Sequence, residues 1–173
     1  MNKIRILLFF GGVFLVSGLS MAMPSIGDSV IYKSTLGQSH DVLGDLEITL
    51  TAYDKTSNKF TAHESLSQNG EEQMSNDIQV DAASLPTDQQ IADTLKNCAQ
   101  LGGQSSTYAF QGKDMPTCIM TTNDPDEGTF VDYVGAVPFG VFKQVQTQPT
   151  GFISTNELES FKTGSAKANT IAH

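Results

Sequence analysis

The side chains able to do chemistry are few, and their spacing is unhelpful to a catalyst. A Ser/His/Asp nucleophilic site would have to draw on His40, His63 or His173. His173 ends the chain, His40 falls in a loop, and His63 alternates onto the face opposite Phe60 and Ala62. No serine sits in a Gly-x-Ser-x-Gly elbow, the sharp turn that exposes a nucleophile. Asp124, Asp126 and Glu127 precede Gly128, as in a calcium loop. Pro125 and Val134, however, occupy positions where an EF-hand needs an oxygen ligand and a bidentate glutamate. Paired carboxylates for glycoside hydrolysis must share one cleft, and Glu47 and Glu64 stand on neighbouring expected strands. Glu64 is the oddest polar residue of the chain, because it shares its alternation face with Phe60 and Leu66. A buried acid of that kind is a functional hint, although a strand end reaching water is the plainer account. The residues carry no catalytic signature, no metal site and no cofactor motif, and the expectation is a protein that is not an enzyme.

Two cysteines, Cys98 and Cys118, complete the reactive inventory. Zinc would require further ligands at suitable spacing, and a redox pair reads Cys-x-x-Cys. An even pair in an exported chain is most simply a disulfide. Closing a loop of about 20 residues stabilises by on the order of 3 kcal/mol in the chain-entropy account.

Export is written at the start. Lys3 and Arg5 precede an apolar run from Ile6 to Val16, and Ser20 and Ala22 stand at the −3 and −1 positions of a cleavage site. This is the layout of a secretory signal peptide, and the run is shorter than the roughly 20 residues that span a bilayer. Residues 1–22 are therefore read as a signal peptide, 23–163 as one β-rich domain, and 164–173 as a mobile tail poor in large apolar residues. No cysteine at the cleavage site invites acylation, and no later segment offers a transmembrane anchor, so the expected location is periplasmic or secreted. Losing Lys3 and Arg5 takes the net charge from −9 to −11. Such a charge excludes nucleic acid, whose phosphates need a basic face, and electrostatic docking on anionic lipid.

The remainder reads as strands. Ser29–Leu36 is a first one, and Leu46, Ile48, Leu50 and Ala52 alternate with polar residues in a second. Phe60–Gln68 follows, and Asn69-Gly70 is a strong hairpin signal leading into Met74–Val80. A helix interrupts the pattern: Thr87 and Gln90 form a capping box, and Ile91, Leu95, Cys98 and Leu101 recur on one face up to Gly102-Gly103. Strands then resume around Tyr108 and Phe110, over Thr117–Thr122 and Phe130–Gly135, and over Val137–Val145 and Gly151–Phe161. In the segment Val137–Lys143, Gly140 suggests a bend that either curves a core strand or shapes a binding mouth. The expected fold class is mainly β (α+β): a strongly curved antiparallel sheet or half-open barrel of about 8–9 strands with one helix packed on it.

The order Asn97-Cys98-x-x-x-Gly102-Gly103, Thr117-Cys118, Val137-Pro138-x-Gly140-x-x-Lys143 resembles a group of small exported bacterial proteins of unassigned activity, relatives of the LolA/LolB-type lipoprotein-carrier superfamily. The resemblance covers residues 97–143. It implies a curved antiparallel sheet whose concave side faces a helix and accommodates acyl chains or another apolar ligand, with no catalytic residues. Three departures stand out: the chain is shorter, lacks Trp and offers one helix where the carriers use several as a lid.

The function these observations favour is an exported, non-enzymatic binding or carrier module. Its site is the concave apolar face formed by Leu46, Ile48, Leu50, Phe60 and Leu66, and its partner an apolar small molecule, a lipid or a lipidated protein. The alternative is a secreted interaction protein (an inhibitor, adhesin or assembly partner) in which the same residues form a closed core. A hydrolase with an unfamiliar site at Glu64 is a third reading. Oligomeric state is not written in the sequence.

Overall fold

The computed structural model describes residues 24–37 and 41–164. The expected signal peptide, the tail from 165 onward, His40 and His173 lie outside the described residues.

Nine strands form one sheet: β1 (Ser29–Leu36), β2 (Asp41–Asp54), β3 (Lys59–Gln68), β4 (Glu71–Asp81), β5 (Gln104–Phe110), β6 (Lys113–Asp124), β7 (Gly128–Val134), β8 (Val141–Thr147) and β9 (Ile153–Lys162). Their spatial order is β4-β3-β2-β1-β9-β8-β7-β6-β5, and every neighbouring pair is antiparallel. Two four-stranded meanders are thus joined through the last strand, and β4 and β5 form the edges, each with one partner strand among the described residues. The sheet does not close, as the half-open reading expects. Its curvature has local causes: five of the eight pairs shift register at an irregularity, among them Ser34/Thr35, Leu50/Ala52 and Tyr133/Val134. Such bulges bend a strand and sharpen its twist. The Asn69-Gly70 turn forms as its sequence demands, both residues taking positive φ (55° and 80°).

The helix α1 (Asp88–Lys96) lies in the crossover between β4 and β5. Its capping box is complete: Thr87 Oγ1 accepts from the Gln90 N–H at 3.2 Å, and Gln90 Oε1 accepts from the Thr87 N–H at 2.8 Å. The helix ends at Lys96, earlier than the stripe running to Leu101 suggests, and Leu101 is exposed on the turn that follows. Cys98 instead turns inward and bonds Cys118, with S–S 2.06 Å. Gly103 makes that approach possible, because a Cβ there would stand 2.6 Å from Cys118 Sγ and 2.9 Å from Cys98 Sγ.

A second difference concerns Val137–Gly140. The apolar run reads as part of a strand, but Pro138–Gly140 forms a 3-10 turn and β8 begins only at Val141. Phe139 takes φ 61° and Gly140 φ 75°, left-handed backbone that a strand cannot continue through. The turn is closed by Gly140 N–H to Val137 O and Gly135 N–H to Gly140 O, both 2.9 Å. Its apolar side chains fold into the interior, where Val137 and Phe139 join Leu85 and the sheet residues Val30, Tyr32 and Phe142 in the main core. Burying the Phe139 ring, 3% exposed here, removes a large apolar area from water and so favours the turn.

Candidate functional site

Register decides which residues share the interior. Leu66 pairs with Leu46, Leu46 with Tyr32, and Tyr32 with Leu158, a continuous apolar row across β3, β2, β1 and β9. One rung along β3, Glu64 pairs with Ile48 on one side and Asn76 on the other. Leu46, Ile48, Leu50 and Phe60 are all buried, Leu50 to 1% exposure, whereas Leu66 is half-buried. Most of the expected concave face is therefore covered by the chain itself, through Leu85, Val137 and Phe139.

An open hollow of about 260 Å³ persists beside this plug. Its floor is Ile48 and Leu50 of β2 with Ala62 of β3, and its walls are Ile78 and Val80 of β4 together with Leu85 and Phe139. The polar groups lining it are Glu64, Gln79, Asp81 and Ser84, so two carboxylates and no cation face it. Asp81 is exposed and lies 3.8 Å from Lys59 Nζ. Glu64 is half-buried, and its carboxylate has no hydrogen-bond or ion-pair partner among the described residues. Burial holds that carboxyl above its ordinary range, because desolvation penalises the charged form.

The other candidates separate. Glu47 pairs with Ser65, so it projects from the face opposite Glu64, and the two carboxylates do not share a cleft. His63 Nδ1 lies 2.8 Å from Asp77 Oδ1 on the exposed outer face of the β3–β4 hairpin. Asp124 Oδ1 accepts the N–H groups of Asp126 and Glu127, each at 2.8 Å, and so serves its own turn. Among the described residues no three His, Cys, Asp or Glu side chains gather closely enough to hold a metal ion.

One interior acid escaped the sequence reading. Asp132 pairs with Gln144, whose Nε2 donates to Asp132 Oδ1 at 2.9 Å. Gln144 in turn neighbours Asn156, which accepts from Ser34 Oγ at 2.6 Å. Burial raises the Asp132 carboxyl, partly offset by the Gln144 bond, and burial followed by the Asp132 charge drives the Tyr32 phenol upward. The signal was available: Asp132 alternates between Phe130 and Val134, both buried.

Two further hollows exist. One of about 450 Å³ lies between α1, the Ala136–Phe139 turn and the chain segments at Pro24 and Gly164. Another of about 420 Å³ lies over β1, β8 and β9, where Lys143 Nζ is 3.4 Å from Glu157 Oε2 and Tyr108 Oη donates to Glu157.

No protein-family model matches this chain, and no curated protein matches it either. Solved structures do. A protein from Bacteroides fragilis classed as exported, with a YmcC-like fold, is similar at 10% identity and TM-score 0.48, covering 82% of this chain and 98% of that one. MucB of Pseudomonas aeruginosa in its complex with MucA is similar at 12% identity and TM-score 0.42, over 82% of this chain and 54% of the other. A Vibrio parahaemolyticus domain classed as an outer-membrane lipoprotein-sorting protein follows at 8% identity and TM-score 0.28, over 82% and 87%. At these identities and TM-scores the likenesses say nothing of what this chain does. No helix among the described residues is long and apolar enough to cross a membrane.

Proposed function

We propose that this chain is an exported, non-enzymatic binding or carrier module, released to a periplasm or beyond after removal of residues 1–22, and that it seats the apolar part of a small molecule, lipid or lipidated partner. The observation that carries the reading is the open hollow bounded by Ile48, Leu50, Ile78, Val80 and Phe139. Of these, Ile78 and Val80 are only half-buried, and each Å² of apolar surface that a ligand removes from water contributes about 25 cal/mol. At about 260 Å³ the space lies just below the 300–1,000 Å³ usual for ligand pockets, which suits a short apolar group better than a long acyl chain. Leu46, Phe60 and Leu66 belong to the adjoining apolar core and do not line it.

The test is displacement of a fluorescent apolar probe from the mature protein, with native mass spectrometry of material purified from its own envelope. Saturable probe uptake that Ile78→Asp or Val80→Asp abolishes, with the fold retained by circular dichroism, is the expected result. Bare protein with no uptake would overturn the reading.

One observation favours the second reading, a secreted interaction protein. Leu85, Val137 and Phe139 fill much of the interior from within, leaving a largely closed core. Recovery of one stoichiometric protein partner, with probe uptake absent, would select it.

A further inference from the structure

We infer that the hollow between β2, β3 and β4 selects a small amphiphilic amine, a short apolar stem ending in an ammonium group, and rejects carboxylate-headed amphiphiles. This rests on the binding reading above and names the ligand chemistry for the same site. Three features of the hollow carry it. Its floor and walls are apolar, from Ile48, Leu50, Ala62, Ile78 and Phe139. Its charged lining is acidic only, Glu64 within and Asp81 at the mouth. Glu64 keeps its acceptor sites unfilled, since no side chain or backbone group among the described residues bonds its carboxylate.

A carboxylate accepts up to about four hydrogen bonds, and an ammonium brings three donors and no acceptor. The two are complementary in number and sign, and a charge-assisted bond in a half-buried site is worth roughly twice a neutral one. A fatty carboxylate meets the opposite situation. It would place a second anion beside Glu64, and one of the two would have to take up a proton. An aliphatic alcohol lies between, with one donor and no charge. The volume sets the stem: there is room for a short chain, not for the tail of a membrane lipid. Asp81 adds to the attraction at the mouth, but it already has Lys59 at 3.8 Å, so the unpartnered Glu64 makes the discrimination.

Octylamine, octanol and octanoate titrated into the mature protein at pH 7, followed by backbone amide chemical shifts of β2–β4, test the assignment. Octylamine is expected to bind about tenfold tighter than octanol, and octanoate more weakly than either, with shifts centred on Ile48, Ala62 and Ile78. Glu64→Gln should bring octylamine down to the affinity of octanol, while leaving octanol unchanged. Glu47→Gln removes the same charge from the opposite face of the adjoining strand and should change nothing. Octanol binding with no preference for the amine would overturn the inference while leaving the apolar-site reading intact. No binding of any of the three would overturn both. An equal loss in Glu47→Gln would overturn the inference by showing a general field instead of a contact. Nα-acetyl-lysine amide matching octylamine would overturn the choice of a free amine in favour of a protein lysine.

Discussion

The Tyr32 hydroxyl donates to the Val141 carbonyl at 3.0 Å, reaching past β9 to tie β1 to β8. The ring is buried beside Leu46 and Leu158, and no water competes for the bond. Tyr32→Phe keeps the ring and leaves the carbonyl without this donor. It should cost about 1–2 kcal/mol, seen as a fall of roughly 3–6 °C in melting temperature. An unchanged melting curve would show that the bond contributes nothing net.

Gly103 lies against the disulfide with an ordinary φ, so replacing it costs contact and not backbone strain. A Cβ there meets Met120 Sδ and Cys118 Sγ at 2.6 Å. Gly103→Ala should destabilise by about 1–3 kcal/mol through overpacking, measured by urea unfolding of the oxidised protein. Reduction of Cys98–Cys118 should cost on the order of 3 kcal/mol. Equal urea midpoints for oxidised and reduced protein would deny the crosslink a role in stability.

Glu64 and Asp132 both have carboxyls raised by burial. The folded state therefore holds their protons more tightly than the unfolded chain, and stability falls as pH rises through the window above ordinary carboxylate values. Around Glu64 the facing charges are Asp81 and, through it, Lys59; around Asp132 the facing groups are Gln144 and the Tyr32 phenol. Glu64→Gln and Asp132→Asn should each raise the melting temperature at pH 7 by about 1–3 °C and converge with the unmodified protein at pH 4. A gain that persists undiminished at pH 4 would assign the effect to packing.

Asp28 clasps the two ends of the described fold: its carboxylate accepts the Ser25 N–H and the Gly164 N–H, each at 2.7 Å. Asp28→Ala should speed hydrogen exchange at both amides, with a global cost of about 1 kcal/mol. Unchanged exchange at Gly164 would show that the clasp is not what orders that end.

Local rules placed most of the strands and the helix start. β1 begins and ends where alternation put it, the Asn69-Gly70 turn takes the two positive φ values its residues favour, and Thr87 with Gln90 caps α1. The rest depends on contacts far apart in sequence. Val137–Gly140 has the composition of a core strand, and only the space between α1 and the sheet turns it into a plug. Leu101 satisfies the helical spacing, yet the inward swing of Cys98 toward Cys118 ends the helix before it. For the site, Ile48, Leu50 and the anomalous Glu64 could be read from alternation. The contributions of Ile78, Val80, Leu85 and Phe139 could not, because they arise from how β4 and two connecting turns fold over β2 and β3.

The pairing of β9 with both β1 and β8 has a consequence for how the molecule is made. Until β9 is present the central seam cannot be sutured, because β9 alone lies between β1 and β8. Assembly thereby waits on the last described strand: a product stopped at Gly151 would hold eight of the nine described ribbons and still lack the stitch that makes them one body.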